Sequence, residues 1–186
     1  MLRAGFVLVG GKSTRMGRDK ALLPWSGRTL AEHVAGTVAR VVPRVALIGA
    51  PERYNGLGYE VQADLFPNCG PIGGIATALK VSPAEWNLVV ACDMPAISEV
   101  QLQMLLAAAE RSNGNCVIPV SESGPEPVCA VYHQRCLPAL EDAIAARRFR
   151  MRDVVHELRA DLIAVADPGF ARNVNTPEDL QVFPRR

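Results

Sequence analysis

Short uninterrupted apolar runs alternate along the chain with stretches whose apolar residues recur at helical spacing. That alternation is the signature of an α/β sheet with helices on its faces. Residues 4–9 are continuously apolar and stop at Gly10-Gly11, which predicts a central strand buried on both faces. Thr29-Leu30-Ala31-Glu32 predicts a capping box that opens a helix running to about Arg40. Pro43 separates this helix from a second strand over Val45–Ile48, and residues 59–61 read as a weaker third. Gly70-Pro71-Ile72-Gly73-Gly74 turns the chain into a helix ending near Val81, and residues 86–91 form another buried strand. Ser98 and Gln101 cap the next helix, whose Val100, Leu102, Leu105, Leu106 and Ala109 face a core. Strands are expected over residues 116–120, 128–132 and 162–166, with a helix over 137–146 among them. Residues 121–127 read as a polar loop rich in Gly and Pro. Thr176 as N-cap and Pro177 at the first helical position open a last helix.

Composition narrows the class. A chain of 186 residues matches one domain, expected to span residues 1–186 without repeat or linker. It can bury roughly 70% of its unfolded surface, so neither disulfides nor a structural metal is required. With 49% hydrophobic and 21% charged residues, a disordered chain is excluded. No apolar run approaches the ~18 residues of a membrane span, and the N-terminus lacks a secretory layout. Twenty Lys and Arg against nineteen Asp and Glu leave a formal charge of +1, too balanced for a nucleic-acid or membrane surface. The five cysteines include no Cys-x-x-Cys pair, which points to reduced thiols in a cytoplasm. His33, His133 and His156 show no metal-ligand spacing.

Chemistry concentrates in Gly10-Gly11-Lys12-Ser13-Thr14-Arg15-Met16-Gly17-Arg18-Asp19-Lys20. A Gly-rich loop after a central parallel strand lies where such sheets bind ligands, and its amides can approach phosphates. Four cations crowd into this one loop of a nearly neutral chain, which favours a phosphate loop over a solvated basic turn. A Walker A loop is excluded because Phe6 stands where its first glycine belongs. Lys12 breaks the dinucleotide fingerprint. Asp93, in Cys92-Asp93-Met94-Pro95, ends a buried strand beside the first loop. Ser98 already caps the following helix, so a cap role for Asp93 is redundant. A lone hard carboxylate facing phosphates is how Mg²⁺ is commonly held. Cys92 reads as small buried packing rather than as a nucleophile.

These residues make the chain similar to the molybdenum cofactor guanylyltransferases, within the wider nucleotidyltransferases. The family's opening Leu-Ala-Gly-Gly-x-Ser-x-Arg-Met-Gly-x-Asp-Lys is matched from Leu8 to Lys20, with Val9 in the place of alanine. Gly70-Pro71-Ile72-Gly73-Gly74, Cys92-Asp93-Met94-Pro95 and Asn173-Val174-Asn175-Thr176-Pro177-Glu178-Asp179 follow in family order. The resemblance implies a single Rossmann-like, three-layer α/β/α domain with a mostly parallel central sheet. It implies an Mg²⁺-dependent enzyme that transfers GMP from GTP to molybdopterin and releases pyrophosphate. Carried over residue by residue, Leu8, Val9, Gly10, Gly11, Ser13 and Asp64 bind the nucleotide, and Arg15 and Lys20 hold its triphosphate. Asp93 carries Mg²⁺, so Arg15, Lys20 and Asp93 form the catalytic set. Asn173 and Asn175 lie near the pterin phosphate. Other cofactor-assembly proteins and molybdoenzymes are implied as further partners. Val9 adds two methyls where the purine stacks, and Ile48-Gly49 stand where a polar residue often follows the second strand. Both departures bear on the base. The rival readings are a sister enzyme using CTP or another phosphorylated acceptor, and a non-catalytic nucleotide or pterin binder.

Overall fold

The computed structural model describes residues 3–10, 19–165, 167–175 and 179. The first apolar run forms β1 (Arg3–Leu8). Its side chains alternate between two cores: Val7 faces one side of the sheet and Phe6 the other, both essentially shielded from water. Further along lie α1 (Leu30–Ala39), β2 (Val45–Ile48), β3 (Glu60–Gln62), α2 (Pro71–Val81), β4 (Trp86–Ala91) and α3 (Glu99–Arg111). The chain continues through β5 (Cys116–Ser121), β6 (Cys129–His133), α4 (Leu137–Ala145) and β7 (Ala160–Ala164).

The strands lie in the order β7-β5-β6-β4-β1-β2-β3. The half containing β3, β2, β1 and β4 is parallel throughout. Strand β6 runs antiparallel between β4 and β5, and β7 pairs parallel with β5. Buried residues of α1 and α3 pack on one face, and those of α2 and α4 on the other, giving the expected three layers. Burying both faces explains why the strand sequences are continuous apolar runs rather than alternating ones.

Both predicted capping boxes form. The Glu32 amide donates to Thr29 Oγ1 at 3.2 Å while the Thr29 amide donates to Glu32 Oε2 at 2.7 Å. The Ser98 amide likewise donates to Gln101 Oε1 at 2.8 Å. Such reciprocal caps satisfy amides that a helix start leaves open. Helix α2 starts at Pro71 behind Gly70, whose φ of 71° favours glycine.

Some expectations shift. The last strand is Ala160–Ala164 rather than 162–166, because its register is set by pairing Ala160 with Cys116. Leu162 is half exposed at this sheet edge, so the apolar run did not mark the strand's bounds. Within the expected loop 121–127, Gly124 and Pro125 fold back on the end of β5. A two-stranded hairpin of Pro24–Trp25 and Arg28–Thr29, and the short helices Pro51–Tyr54 and Met151–Val154, are additional. The helix expected from Thr176 lies outside the described residues.

Candidate active site

The parallel half of the sheet aligns four strand ends along one edge. Leu8 is in register with Ile48 and with Ala91, and Ile48 is in register with Gln62. The chain order reverses direction across β1, so a crevice opens beyond the ends of β1 and β4, where open α/β sheets bind ligands. A cleft of about 940 Å³ lies there, lined among others by Leu8, Gly10, Lys20, Asp64, Asp93 and Asn173. That volume suits a nucleotide-sized ligand.

Lys20 is the centre of the cleft's polar contacts. It opens a 3₁₀ turn, Lys20–Leu22, after the Gly-rich segment. Its Nζ donates to Asn175 Oδ1 at 2.7 Å and stands 3.4 Å from Asp93 Oδ2. One cation therefore joins the segment after β1, the turn after β4 and the chain's C-terminal portion. Asp93 is held by its backbone: its carbonyl accepts from the Val174 amide at 2.8 Å, and the preceding Cys92 amide donates to the Leu8 carbonyl at 3.1 Å. Burial pushes the Asp93 carboxyl above the ordinary carboxylate value, with the Lys20 ammonium working against that shift.

The remaining expected site residues divide. Gly11, Ser13 and Arg15 lie outside the described residues. Gly10 lines the cleft with φ 120°, a conformation other residues rarely adopt. Leu8 packs against Gly74 of α2, where an added Cβ would come 2.9 Å from Leu8 Cδ2. Asp64 lines the cleft, and its Oδ1 also accepts from the Phe66 amide at 2.9 Å and from Thr77 Oγ1 at 3.0 Å. That carboxylate thus shapes its own loop as well as facing the cleft. Asn173 is half-buried in the cleft wall, and its Oδ1 is shielded from water with no hydrogen-bond partner among the described residues. Asn175 is exposed, and its amide donates to Asp179 Oδ2 at 2.7 Å.

Val9 lines the cleft as well, although it is only 2% exposed and packs in the core cluster that contains Ala21 and Tyr54. Gly49 is explained by the same packing. A Cβ there would lie 2.3 Å from the Val9 carbonyl oxygen and 2.9 Å from the Tyr54 ring, which leaves no room for a polar side chain.

Several polar residues that sequence reading did not single out support the site. Asp19 Oδ1 caps the Lys20 turn by accepting from the Ala21 amide at 3.1 Å, and its Oδ2 accepts from the Tyr54 hydroxyl at 2.7 Å. His33 Nε2 lies 3.1 Å from the Pro95 carbonyl oxygen, tying α1 to the turn after Asp93. A carbonyl oxygen can only accept, so this nitrogen donates, and burial lowers the His33 pKa. Asp19 stood within the quoted motif, whereas Tyr54 and His33 carried no local signal. Cys92 is buried, and burial beside Asp93 drives its thiol pKa far up, so it is packing and no nucleophile.

Residues 5–162 match the family model of the MobA-like NTP transferase domain. The chain belongs to the MobA-like NTP transferase family. This MobA-like NTP transferase is 33% identical to the probable molybdenum cofactor guanylyltransferase of Flavobacterium johnsoniae, over 94% of the chain and 93% of the relative. It is 31% identical to the molybdenum cofactor guanylyltransferase of Desulfosudis oleivorans, over 95% and 92% respectively. Among solved structures, it is similar to molybdopterin-guanine dinucleotide biosynthesis protein A from Archaeoglobus fulgidus. That match has a TM-score of 0.83 and 26% identity, and covers 96% of this chain and 95% of the other.

Proposed function

We propose that this MobA-like NTP transferase transfers GMP from GTP to the terminal phosphate of molybdopterin and releases pyrophosphate. The observation that carries the reading is the meeting of Lys20 and Asp93 in the cleft, at the ends of adjacent strands β1 and β4. A cation and a carboxylate are placed side by side where a triphosphate and its counterion have to sit.

The reaction needs little proton chemistry. A phosphate monoester has a second pKa of ~6, so the acceptor arrives as a dianion and needs no general base. Its oxygen attacks the α-phosphorus in line, the bond to the bridging oxygen breaks, and pyrophosphate carries away the electron pair. The barrier lies in bringing anions together and in stabilising the charge that builds on the leaving group. Lys20 turns its ammonium from Asp93 and Asn175 to the phosphate oxygens. Arg15 adds a second cation. Leu8, Gly10 and Gly11 line the guanine and ribose side, and Ser13 and Asp64 help to hold the nucleotide.

Asp93 fits the role of an Mg²⁺ ligand. Among the described residues no three His, Cys, Asp or Glu side chains cluster as a metal site. A single carboxylate is what Mg²⁺ uses when phosphate oxygens and waters complete its octahedron. Burial works against the ionised Asp93, and a divalent cation would restore the balance. When bound, Mg²⁺ neutralises phosphate charge and aligns the leaving group. Asn173, with its unpartnered Oδ1, and Asn175 face the acceptor side. The free cysteines suit work in a reducing cytoplasm.

The test is pyrophosphate release when the protein is mixed with GTP, Mg²⁺ and molybdopterin. Release that requires all three supports the reading. Release only with CTP moves the chain to a cytidylyl enzyme, and no release with any nucleotide makes it a binder.

A further inference from the structure

Tyr54 is bonded to one described end of the Gly-rich segment and stands near the other. It closes the single helical turn Pro51–Tyr54 after β2 and has no exposed surface. Its hydroxyl donates to Asp19 Oδ2 at 2.7 Å, at the exit of the segment. At the entrance, a Cβ on Gly10 would stand 3.8 Å from the same hydroxyl. The other oxygen of Asp19 caps the turn that begins with Lys20. Arg53, on the same short helix as Tyr54, places a guanidinium nitrogen 3.5 Å from Asp19 Oδ2.

Packing alone does not call for this hydroxyl. The ring lies in an apolar cluster with Val7, Val9 and Cys92, where phenylalanine would fill the same space. A buried hydroxyl must have a partner, and Tyr54 meets that need with the carboxylate that caps the Lys20 turn. Burial and the Asp19 carboxylate raise the phenol pKa, so the hydroxyl stays a donor at every working pH. A hydrogen bond to a charged acceptor is also about twice as strong as one between neutral groups.

We infer that Tyr54 is a positioning residue, whose hydroxyl acts through Asp19 to fix the turn from which Lys20 reaches Asp93 and Asn175. The inference rests on the proposed role of Lys20 in holding the triphosphate. Tyr54 stands in the cleft wall with no exposed surface, and its hydroxyl is committed to Asp19. It limits where the ammonium can be, and misplacing a binding group by about 1 Å can cost a hundredfold in rate.

The experiment pairs Tyr54→Phe with Lys20→Ala, in a double-mutant cycle and in hydrogen exchange of the full chain. Tyr54→Phe is expected to lower kcat/KM for GTP about tenfold in the unmodified background and by less than about twofold in Lys20→Ala. Amides at 19–23 are expected to exchange about tenfold faster in Tyr54→Phe, with β4 and α3 unchanged. Equal losses in both backgrounds overturn the inference, as does unchanged exchange at 19–23. Faster exchange throughout the chain with a lowered Tm also overturns it, since the hydroxyl would then be structural. If the unmodified protein releases no pyrophosphate from GTP, the guanylyltransferase reading fails while the exchange result still decides the role of Tyr54.

Discussion

Lys20 and Asp93 are separated by 3.4 Å although they stand 73 positions apart in the chain, and each is only about one-fifth exposed. The strand register causes this meeting. Leu8 and Ala91 are paired in adjacent parallel strands, so the segments that follow them leave the sheet side by side. The pair satisfies two charges that would otherwise be buried at a cost. A triphosphate brings several negative charges, so Lys20 can exchange one carboxylate for phosphate oxygens without losing an ionic partner. The cleft is thus held in a balanced state that an anionic ligand can replace.

Asp93→Asn separates function from stability. It removes the charge proposed to hold Mg²⁺, and a loss of about a hundredfold or more in kcat is expected, as for removal of a key electrostatic group. Stability should move the other way. Because the folded-state pKa of Asp93 is raised, the native state binds more protons than the unfolded state from about 3.8 up to that raised value. Stability from this group therefore falls as pH rises through that window. Asp93→Asn should raise Tm at pH 7, and the gain should vanish below pH 3.8. Calorimetry at the two pH values checks the sign, and a lowered Tm at pH 7 would assign Asp93 a structural role.

Asn175→Ala removes the oxygen that receives Lys20 at 2.7 Å. Because Asn175 is exposed while Lys20 keeps Asp93, nucleotide binding should survive within about twofold. The KM for the acceptor should rise about tenfold, equivalent to about 1.4 kcal/mol. Loss of GTP affinity with an unchanged acceptor KM would reverse the assignment.

Gly49→Ala tests the packing that shapes the cleft floor. The new Cβ would meet the Val9 carbonyl oxygen at 2.3 Å, and backbone cannot rotate away as a side chain can. Destabilisation of about 1–3 kcal/mol is expected from overpacking. Urea denaturation measures it, and a change below about 0.5 kcal/mol would show that β1 and β2 can move apart cheaply.

We propose that the base preference rests on backbone groups of the turn after β1, because Val9 packs in the core and carries no polar group to read a guanine edge. Leaving one such group unpaired against the wrong base costs about 1–3 kcal/mol. GTP should bind at least about tenfold more tightly than ATP or CTP with Mg²⁺ present. Titration calorimetry with the three nucleotides checks this, and equal affinities would contradict base selection at the binding step.

Much of this site was legible because its parts are local in sequence. The run ending at Gly10, the apolar strand ending before Asp93, and the capping boxes at Thr29 and Ser98 each declare themselves within a few residues. The contacts between those parts were less legible. Lys20 meets Asn175 across 155 residues, and Tyr54 meets Asp19 across 35, from a short helix with no apolar period. The burial of Val9 was not legible, because its neighbour Gly10 belongs to the loop. Strand alternation nevertheless carries one residue past Leu8 and directs the Val9 side chain into the core with Val7.

Mass analysis of a mixture of protein, GTP, Mg²⁺ and molybdopterin follows the transfer itself. A product heavier than molybdopterin by one GMP unit is expected, formed in step with pyrophosphate and greatly slowed by Lys20→Ala. A mixture in which molybdopterin keeps its mass while GTP is consumed, or in which CMP is added instead, would contradict it.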